Sequence, residues 1–229
     1  INSKFYHVVT DGNGIARLTI GLAPNNYVIH IINPATGEIK TQNIKVVARI
    51  TENAYLKMYY GEGKYYKVKV ADDNGKVAAG VKVKFSINGR TYTKKTNSKG
   101  KASINLNLKS GKYSAITKFD ETPLYKKANA KSTITIKSTV KCSDLSKYYK
   151  NKSKYCSKFY DKKGKVLKQT SVKFKLNNND YTVKTDNKGV GKLDIDLKPG
   201  KYSISAINSK TSETIKKAIT IKTILETSD

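Results

Sequence analysis

Acidic residues are scarce in this chain. Only 17 Asp and Glu stand against 45 Lys and Arg, a formal net charge of +28 at pH 7 over 229 residues. No paired-carboxylate arrangement appears, which argues against general acid–base chemistry of that kind. Histidine is limited to His7 and His30. Neither has a carboxylate or nucleophile in a recurring context, so a hydrolytic triad is not expected. Two cysteines, Cys142 and Cys156, have no histidines nearby to complete a zinc site. There is no P-loop and no dinucleotide-binding glycine pattern. No apolar stretch approaches 20 residues and no signal peptide is visible, so no transmembrane segment is expected. These absences predict a protein without cofactor or metal, and not an enzyme.

Tryptophan is absent, but there are 16 tyrosines and 5 phenylalanines, with abundant Thr, Val, Ile, Asn and Gly. That mixture favours strands joined by tight turns. The strongest signal is a repeat. Leu56–Ala115 aligns without a gap on Leu145–Ile204, a period of 89 residues with 25 identities in 60 positions. A third, partial copy, TDGNGIARLTIGLAPNNYVI at 10–29, matches the second half of that unit. A unit near 90 residues can bury its own core.

Apolar residues alternate with polar ones almost everywhere, the period of half-buried strands. In the middle copy Tyr66, Val68 and Val70 share one face, as do Val81, Val83, Phe85 and Ile87. Asn88-Gly89 then signals a two-residue hairpin. Ala102, Ile104, Leu106 and Leu108 make the next face. The last copy repeats the scheme, and the partial copy supplies Ile15 to Ile20, Tyr27 to Ile31 and Ile44 to Val46. Some seven short strands per unit, with turns every 8–12 residues, predict an all-β fold of tandem antiparallel immunoglobulin-like sandwiches. The expected division is a partial unit at 1–50 and complete units at 51–139 and 140–229. The turn glycine lies 30 residues before the last strand in the first and third copies and 34 before it in the second. The extra residues fall in DETPLYKK, expected to be a solvent-facing loop. The partial unit lacks the front strands and would leave a sheet edge open. The chain therefore reads as a piece of a longer parent, or the missing strands come by donation from a neighbouring chain.

Other motifs point to structure. Gly111 and Gly200, in SGKY and PGKY, are expected to take positive φ in a turn. Tyr113 and Tyr202 would then start a strand and return their hydroxyls to the backbone, as in a tyrosine corner. The Asp11, Asp72 and Asp186 turns lack the ligand count of a calcium loop and read as Asx turns. Cys156 has outward parity, and in an oxidising setting the pair Cys142–Cys156 is expected to form a surface disulfide. Asn151-Lys152-Ser153 is a glycosylation sequon, with Asn151 the acceptor. The stretch 147–165 is the best basic and aromatic surface. Its Lys147, Tyr148, Tyr149, Lys150, Lys152, Lys154, Tyr155, Lys158 and Tyr160 are the candidates for gripping an anionic wall polymer, a glycan or nucleic acid. A weaker copy at 58–69 suggests a second role for these tyrosines, packing at the junction between units.

The DDNGK and DKKGK turns (72–76 and 161–165), the VKF strands (83–85 and 172–174), the T-[ND]-x-K-G turns and the [SP]-G-K-Y turns carry a resemblance. Together they resemble the immunoglobulin-like repeats of adhesin-like surface proteins of methanogenic archaea. The resemblance covers essentially the whole chain. It implies a non-enzymatic, extracellular, cell-surface stalk or adhesion module, whose partners are other units of the same parent and a surface glycan, wall polymer or protein. The repeats are also similar to surface units with internal Lys–Asn isopeptide bonds. That chemistry needs a buried acid, and Asp194 and Asp196 have outward parity.

Overall fold

The computed structural model describes residues 1–122 and 126–224. Two strands come first, β1 (Asn25–Ile32) and β2 (Ile39–Val46), forming an isolated antiparallel hairpin. Eight strands follow: β3 (Ile50–Thr51), β4 (Leu56–Tyr59), β5 (Tyr65–Val70), β6 (Lys82–Ile87), β7 (Arg90–Lys95), β8 (Lys101–Asn105), β9 (Gly111–Phe119) and β10 (Ala128–Lys137). They assemble into two facing sheets, β3-β5-β8 and β4-β10-β9-β6-β7. Eight more repeat the plan: β11 (Val140–Cys142), β12 (Leu145–Tyr148), β13 (Tyr155–Phe159), β14 (Ser171–Leu176), β15 (Asn179–Lys184), β16 (Val190–Leu193), β17 (Gly200–Ile207) and β18 (Thr214–Lys222). Their sheets are β11-β13-β16 and β12-β18-β17-β14-β15. Both eight-stranded units are immunoglobulin-like sandwiches, and no helix occurs among the described residues.

Each unit's opening strand is shared between its two sheets. β3 pairs antiparallel with β5, then the chain crosses the sandwich and β4 pairs parallel with β10. β11 and β12 do the same with β13 and β18. The parallel pairs are a detail that alternation does not encode.

The cores follow the alternation. In the middle unit Val68, Val70, Val83, Phe85, Ala115 and Ile134 are fully buried. In the third, Phe159, Val172, Phe174, Ile204, Ala206 and Ile219 are. Tyr66 meets Phe85 edge-on at 5.9 Å, and Tyr155 meets Phe174 the same way at 5.6 Å, a favourable aromatic geometry.

Turns are built by one device used five times. The Oδ1 of Asp11, Asp72, Asn97, Asp161 and Asp186 accepts the amide protons of the residues two and four further on. A side-chain oxygen thereby replaces backbone partners in a tight bend. Three tyrosines at one position close a second recurring device. The hydroxyls of Tyr27, Tyr113 and Tyr202 donate to the carbonyls of Ala23, Lys109 and Lys198 at 2.8, 2.8 and 2.9 Å. Gly111 and Gly200 have φ of +159° and +156°, and each lies directly under its tyrosine ring. Of the DETPLYKK loop, Asp120–Thr122 and Lys126–Lys127 are exposed, while its centre (123–125) lies outside the described residues.

The N-terminal region departs from expectation. Ile15–Ile20 alternates like β8 and β16 yet forms no strand; Ala16 makes only an isolated bridge to Thr10. The reason is a missing partner. β8 and β16 exist by pairing with β5 and β13, and residues 1–24 contain no such strand. Of residues 1–49 only Tyr27 is buried.

Candidate functional site

The residues 147–160 do not form one surface. β12 belongs to the five-stranded sheet and β13 to the three-stranded one, so the strands carrying the basic-aromatic stretch diverge. Lys147 points inward, being 8% exposed, and its ammonium donates to the carbonyls of Asn151, Ser153 and Ile195 at 2.6, 3.2 and 2.6 Å. It is a structural residue, because three carbonyl dipoles replace its hydration and leave it nothing to offer a ligand. Tyr155 is likewise a core residue at 1% exposure. Burial pushes its hydroxyl well above the ordinary tyrosine value, with the neighbouring Cys142 adding to the effect. Tyr149 packs on the core with Lys150 over its ring at 4.9 Å, and Tyr148 is exposed beneath Lys222 at 5.5 Å. Lys154 is paired with Asp194 at 2.9 Å, Lys152 is exposed, and Lys158 lies 5.7 Å from the Tyr160 ring. Asn151 is exposed on a turn. Asp194 and Asp196 are exposed.

The two cysteines are free thiols on opposite faces of one sheet. Cys142 lies across from Ser157 and packs toward the core, whereas Cys156 is exposed. An antiparallel partner shares a face and its sequence neighbour does not, so the expected disulfide does not fit this register.

The structure instead assembles two features. One is a basic face on each five-stranded sheet. Lys82, Lys84, Lys118 and Lys131 alternate out of the middle unit, and Lys173, Lys175, Lys201 and Lys216 out of the third. The VKVKF and VKFKL alternation is the signal for it.

The other is a polar latch where the third unit begins, in the segment between β10 and β11. Thr139 is fully buried there. Glu213, 4% exposed, accepts the Thr139 amide proton at 2.5 Å and its hydroxyl proton at 2.7 Å through one carboxylate oxygen. Asn208, also fully buried, donates its amide to the carbonyls of Thr139 and Tyr160 at 3.1 and 2.8 Å. Thr211 Oγ1 lies 2.8 Å from Thr139 Oγ1. The β17–β18 loop thus grips the segment arriving from the middle unit. Around it the units touch. Tyr59 stacks obliquely on Tyr160 at 6.4 Å and fits against Gly164, whose φ is +85°. A Cβ at Gly164 would collide with the Tyr59 ring, and Thr211 sits beside Gly61. Burial would raise the Glu62 carboxyl, but hydrogen bonds from Lys64 and the Tyr59 amide, with the charges of Lys64 and Lys163, lower it overall.

The sequence reading missed this latch. Its signal is N-x-x-T-x-E, at Asn208–Glu213 and again at Asn33–Glu38, hidden because the longer β9–β10 loop of the middle unit breaks the series. Among the described residues no three His, Cys, Asp or Glu side chains meet.

Fold and junction together define two immunoglobulin-like sandwiches joined through one short, gripped segment. No protein-family model matches the sequence, nor does any curated protein. Among solved structures, a Ca2+-stabilised ice-binding adhesin of an Antarctic bacterium is 15% identical, covering 86% of this chain and 56% of its own, with a TM-score of 0.29. The fibronectin(III)-like modules of Clostridium thermocellum CbhA are 16% identical over 78% of this chain and 96% of theirs, at 0.27. A three-immunoglobulin segment of titin is 11% identical over 88% and 75%, at 0.30. The chain thus spans little more than half the length of the adhesin chain it matches. The fold assignment rests on the strand order above.

Proposed function

We propose that this chain is a non-enzymatic, cell-surface stalk or adhesion segment, working outside the cell as an adhesin-like array of units at 1–50, 51–139 and 140–229. The observation that carries this reading is the latch at Thr139. The third unit's β17–β18 loop holds Thr139, two residues after β10, by buried hydrogen bonds, and Tyr59 packs on Tyr160 and Gly164 across the junction. The two self-contained cores therefore have little freedom to turn against each other. Linked units of this kind project a distal surface and let weak contacts add along the array. The partners are further units of the same parent, and a glycan, wall polymer or protein at the surface reached.

Glu213→Ala tests the stalk. It leaves the buried Thr139 amide and hydroxyl without their acceptor, a loss of about 1–3 kcal/mol in the third unit. Small-angle scattering is expected to show a broadened end-to-end distribution while both cores stay folded. An unchanged distribution would count against a gripped junction.

The basic sheet faces favour a second reading, a module that holds an anionic polymer. Lysine contacts of that kind release counterions, so binding to a polyanion such as polyglutamate would fall steeply with salt. No binding at low salt removes this reading.

A further inference from the structure

The N-terminal hairpin is a half-unit with its contact features already in place. Its register, Tyr27 opposite Ile44, is that of Tyr113 opposite Ile134 and Tyr202 opposite Ile219. In both complete units the strand equivalent to β1 has a second neighbour. β6 pairs with β9 through Ile87–Ala115, Ser86–Ile116, Phe85–Thr117 and Lys84–Lys118, and β14 pairs with β17 similarly. The matching stretch of β1 is Ile29–Ile32, and that edge is open. Ile31 is 52% exposed, whereas its counterparts Thr117 and Ala206 are fully buried. β1 (NNYVIHII) also carries no Lys, Arg, Asp or Glu, while β4, β7, β12 and β15 at the edges of the two five-stranded sheets all do. Charged residues on an edge discourage strand addition, and β1 has no such guard.

Two further features point to the same missing piece. Thr96 and Thr185 are buried and tie the back half of each unit to its front. Thr96 donates to the Ala78 carbonyl at 2.7 Å and accepts from the Val81 amide at 2.9 Å; Thr185 donates to the Leu167 carbonyl at 2.5 Å and accepts from the Thr170 amide at 3.0 Å. Thr10 holds their position and is exposed.

The β1–β2 loop, Asn33–Glu38, is also a copy of the latch loop. Asn33 N donates to Glu38 O at 2.9 Å, as Asn208 N does to Glu213 O at 2.9 Å. Gly37 N donates to Asn33 O at 2.8 Å, as Ser212 N does to Asn208 O. Asn33 Oδ1 accepts from the Ala35 amide at 3.0 Å, as Asn208 Oδ1 does from that of Lys210. The Glu38 amide meets Thr36 Oγ1 at 3.3 Å, and that of Glu213 meets Thr211 Oγ1 at 3.4 Å. The difference lies in what is gripped. Asn208 and Glu213 enclose Thr139, while Asn33 and Glu38 are exposed.

We propose that the hairpin is an acceptor for a front half-unit of the third unit's type, added as a strand along β1 and locked by Asn33 and Glu38 around a threonine at the Thr139 position. The middle unit's front half is the wrong key. Where the third unit has Thr139 it has Arg49, which pairs with Asp73 at 2.6 Å and reaches the Lys127 carbonyl at 3.5 Å. Strand addition supplies the affinity through main-chain hydrogen bonds, and the latch supplies the choice.

The test adds a fluorescent polypeptide copying residues 138–184 to the whole chain and follows anisotropy and amide exchange. Saturable binding is expected, with slowed exchange across Val28–Ile32 and in the Asn33–Glu38 loop. A probe copying 48–95, or the first probe with its threonine changed to valine, is expected to bind at least tenfold more weakly. Glu38→Ala and Ile31→Lys in the chain are each expected to weaken binding about tenfold or more. His30→Lys, which adds the same charge on the other face, is expected to change it less than threefold. Because these residues are exposed in an isolated hairpin, exchange in the two complete units serves as the folding control. Absence of binding, equal binding of both probes, or an unaffected Glu38→Ala variant overturns the proposal. So does self-association of the chain through β1 in place of probe uptake. Neither result bears on Glu213, so the stalk reading stands or falls separately.

Discussion

The β17–β18 hairpin and the β1–β2 hairpin share their register, their tyrosine device and their connecting loop. One lies inside a dense core and the other is almost wholly exposed. The difference teaches that the repeat encodes strand pairing and turns locally, whereas burial depends on the other half of the sandwich. Ile204 and Ala206 are fully buried because β14 and the three-stranded sheet cover them. Ile29 and Ile31, at the same positions, have no such cover.

The largest test of that contrast is Phe174→Ala. The ring is fully buried against Tyr155 and Phe159, so its removal is expected to cost about 3–5 kcal/mol and to lower the denaturant midpoint of the third unit. Ile31→Ala in the open hairpin is expected to change neither unit measurably. A comparable loss from both would mean that the hairpin is packed in solution.

A second test exchanges equivalent positions between the complete units. Lys147 and Met58 occupy one inward site of the repeat, 8% and 3% exposed. Met58→Lys would bury an ammonium in a site shaped for a thioether, with an expected cost of about 3 kcal/mol in urea unfolding. Lys147→Met removes a buried charge for a side chain of similar volume and is expected to shift stability by less than about 1 kcal/mol. Equal costs in both directions would show that the carbonyl cage depends on its lysine.

Lys147 lies in phase with Leu145 and Tyr149, so alternation already pointed it inward; residue type pointed it outward and prevailed. The cysteine pairing fails on the same rule, since Cys142 keeps step with the inward Val140 while Cys156 is out of step with the inward Tyr155 and Phe159 of its own strand. Strand faces, turns and the sandwich itself were legible because each depends on residues close in sequence. The absent strand at Ile15–Ile20 was not, because a strand's existence depends on a neighbour far along the chain. The latch depends on a threonine and a glutamate that meet only after the sandwich closes.

A smaller effect is expected from Tyr202→Phe. It removes the bond to the Lys198 carbonyl, worth about 0.5–1.5 kcal/mol in the third unit. Tyr27→Phe should leave global unfolding unchanged and speed only local amide exchange near Ala23, because that turn lies outside either core. Loss of global stability from Tyr27→Phe would break the contrast.

The smallest effect concerns acid. The Val190 amide, helped by that of Lys188 and by nearby lysines, holds the Asp186 carboxyl below its ordinary value of 3.8. A depressed folded value means the contribution is present above 3.8 and lost as pH falls through the folded value. Asn97 makes the equivalent turn in the middle unit without a titrating group. Amide exchange followed from pH 5 to 2 is therefore expected to show the third unit's turn loosening at the acid end and the middle unit's unaffected. Asp186→Asn should remove the difference, and its persistence would assign the loosening to another group.

The parallel pairing of β12 with β18 has a mechanical consequence. Leu145–Tyr148 and Ile219–Lys222 run side by side in the same direction, at the beginning and end of one unit. Tension along the chain therefore drags these strands past each other and loads their hydrogen bonds together in shear. A hairpin pulled at its open end would instead unzip, its bonds breaking in succession. The resistance lies in the rate of forced opening rather than in equilibrium stability. The same geometry at β4 and β10 places such a clamp in both complete units.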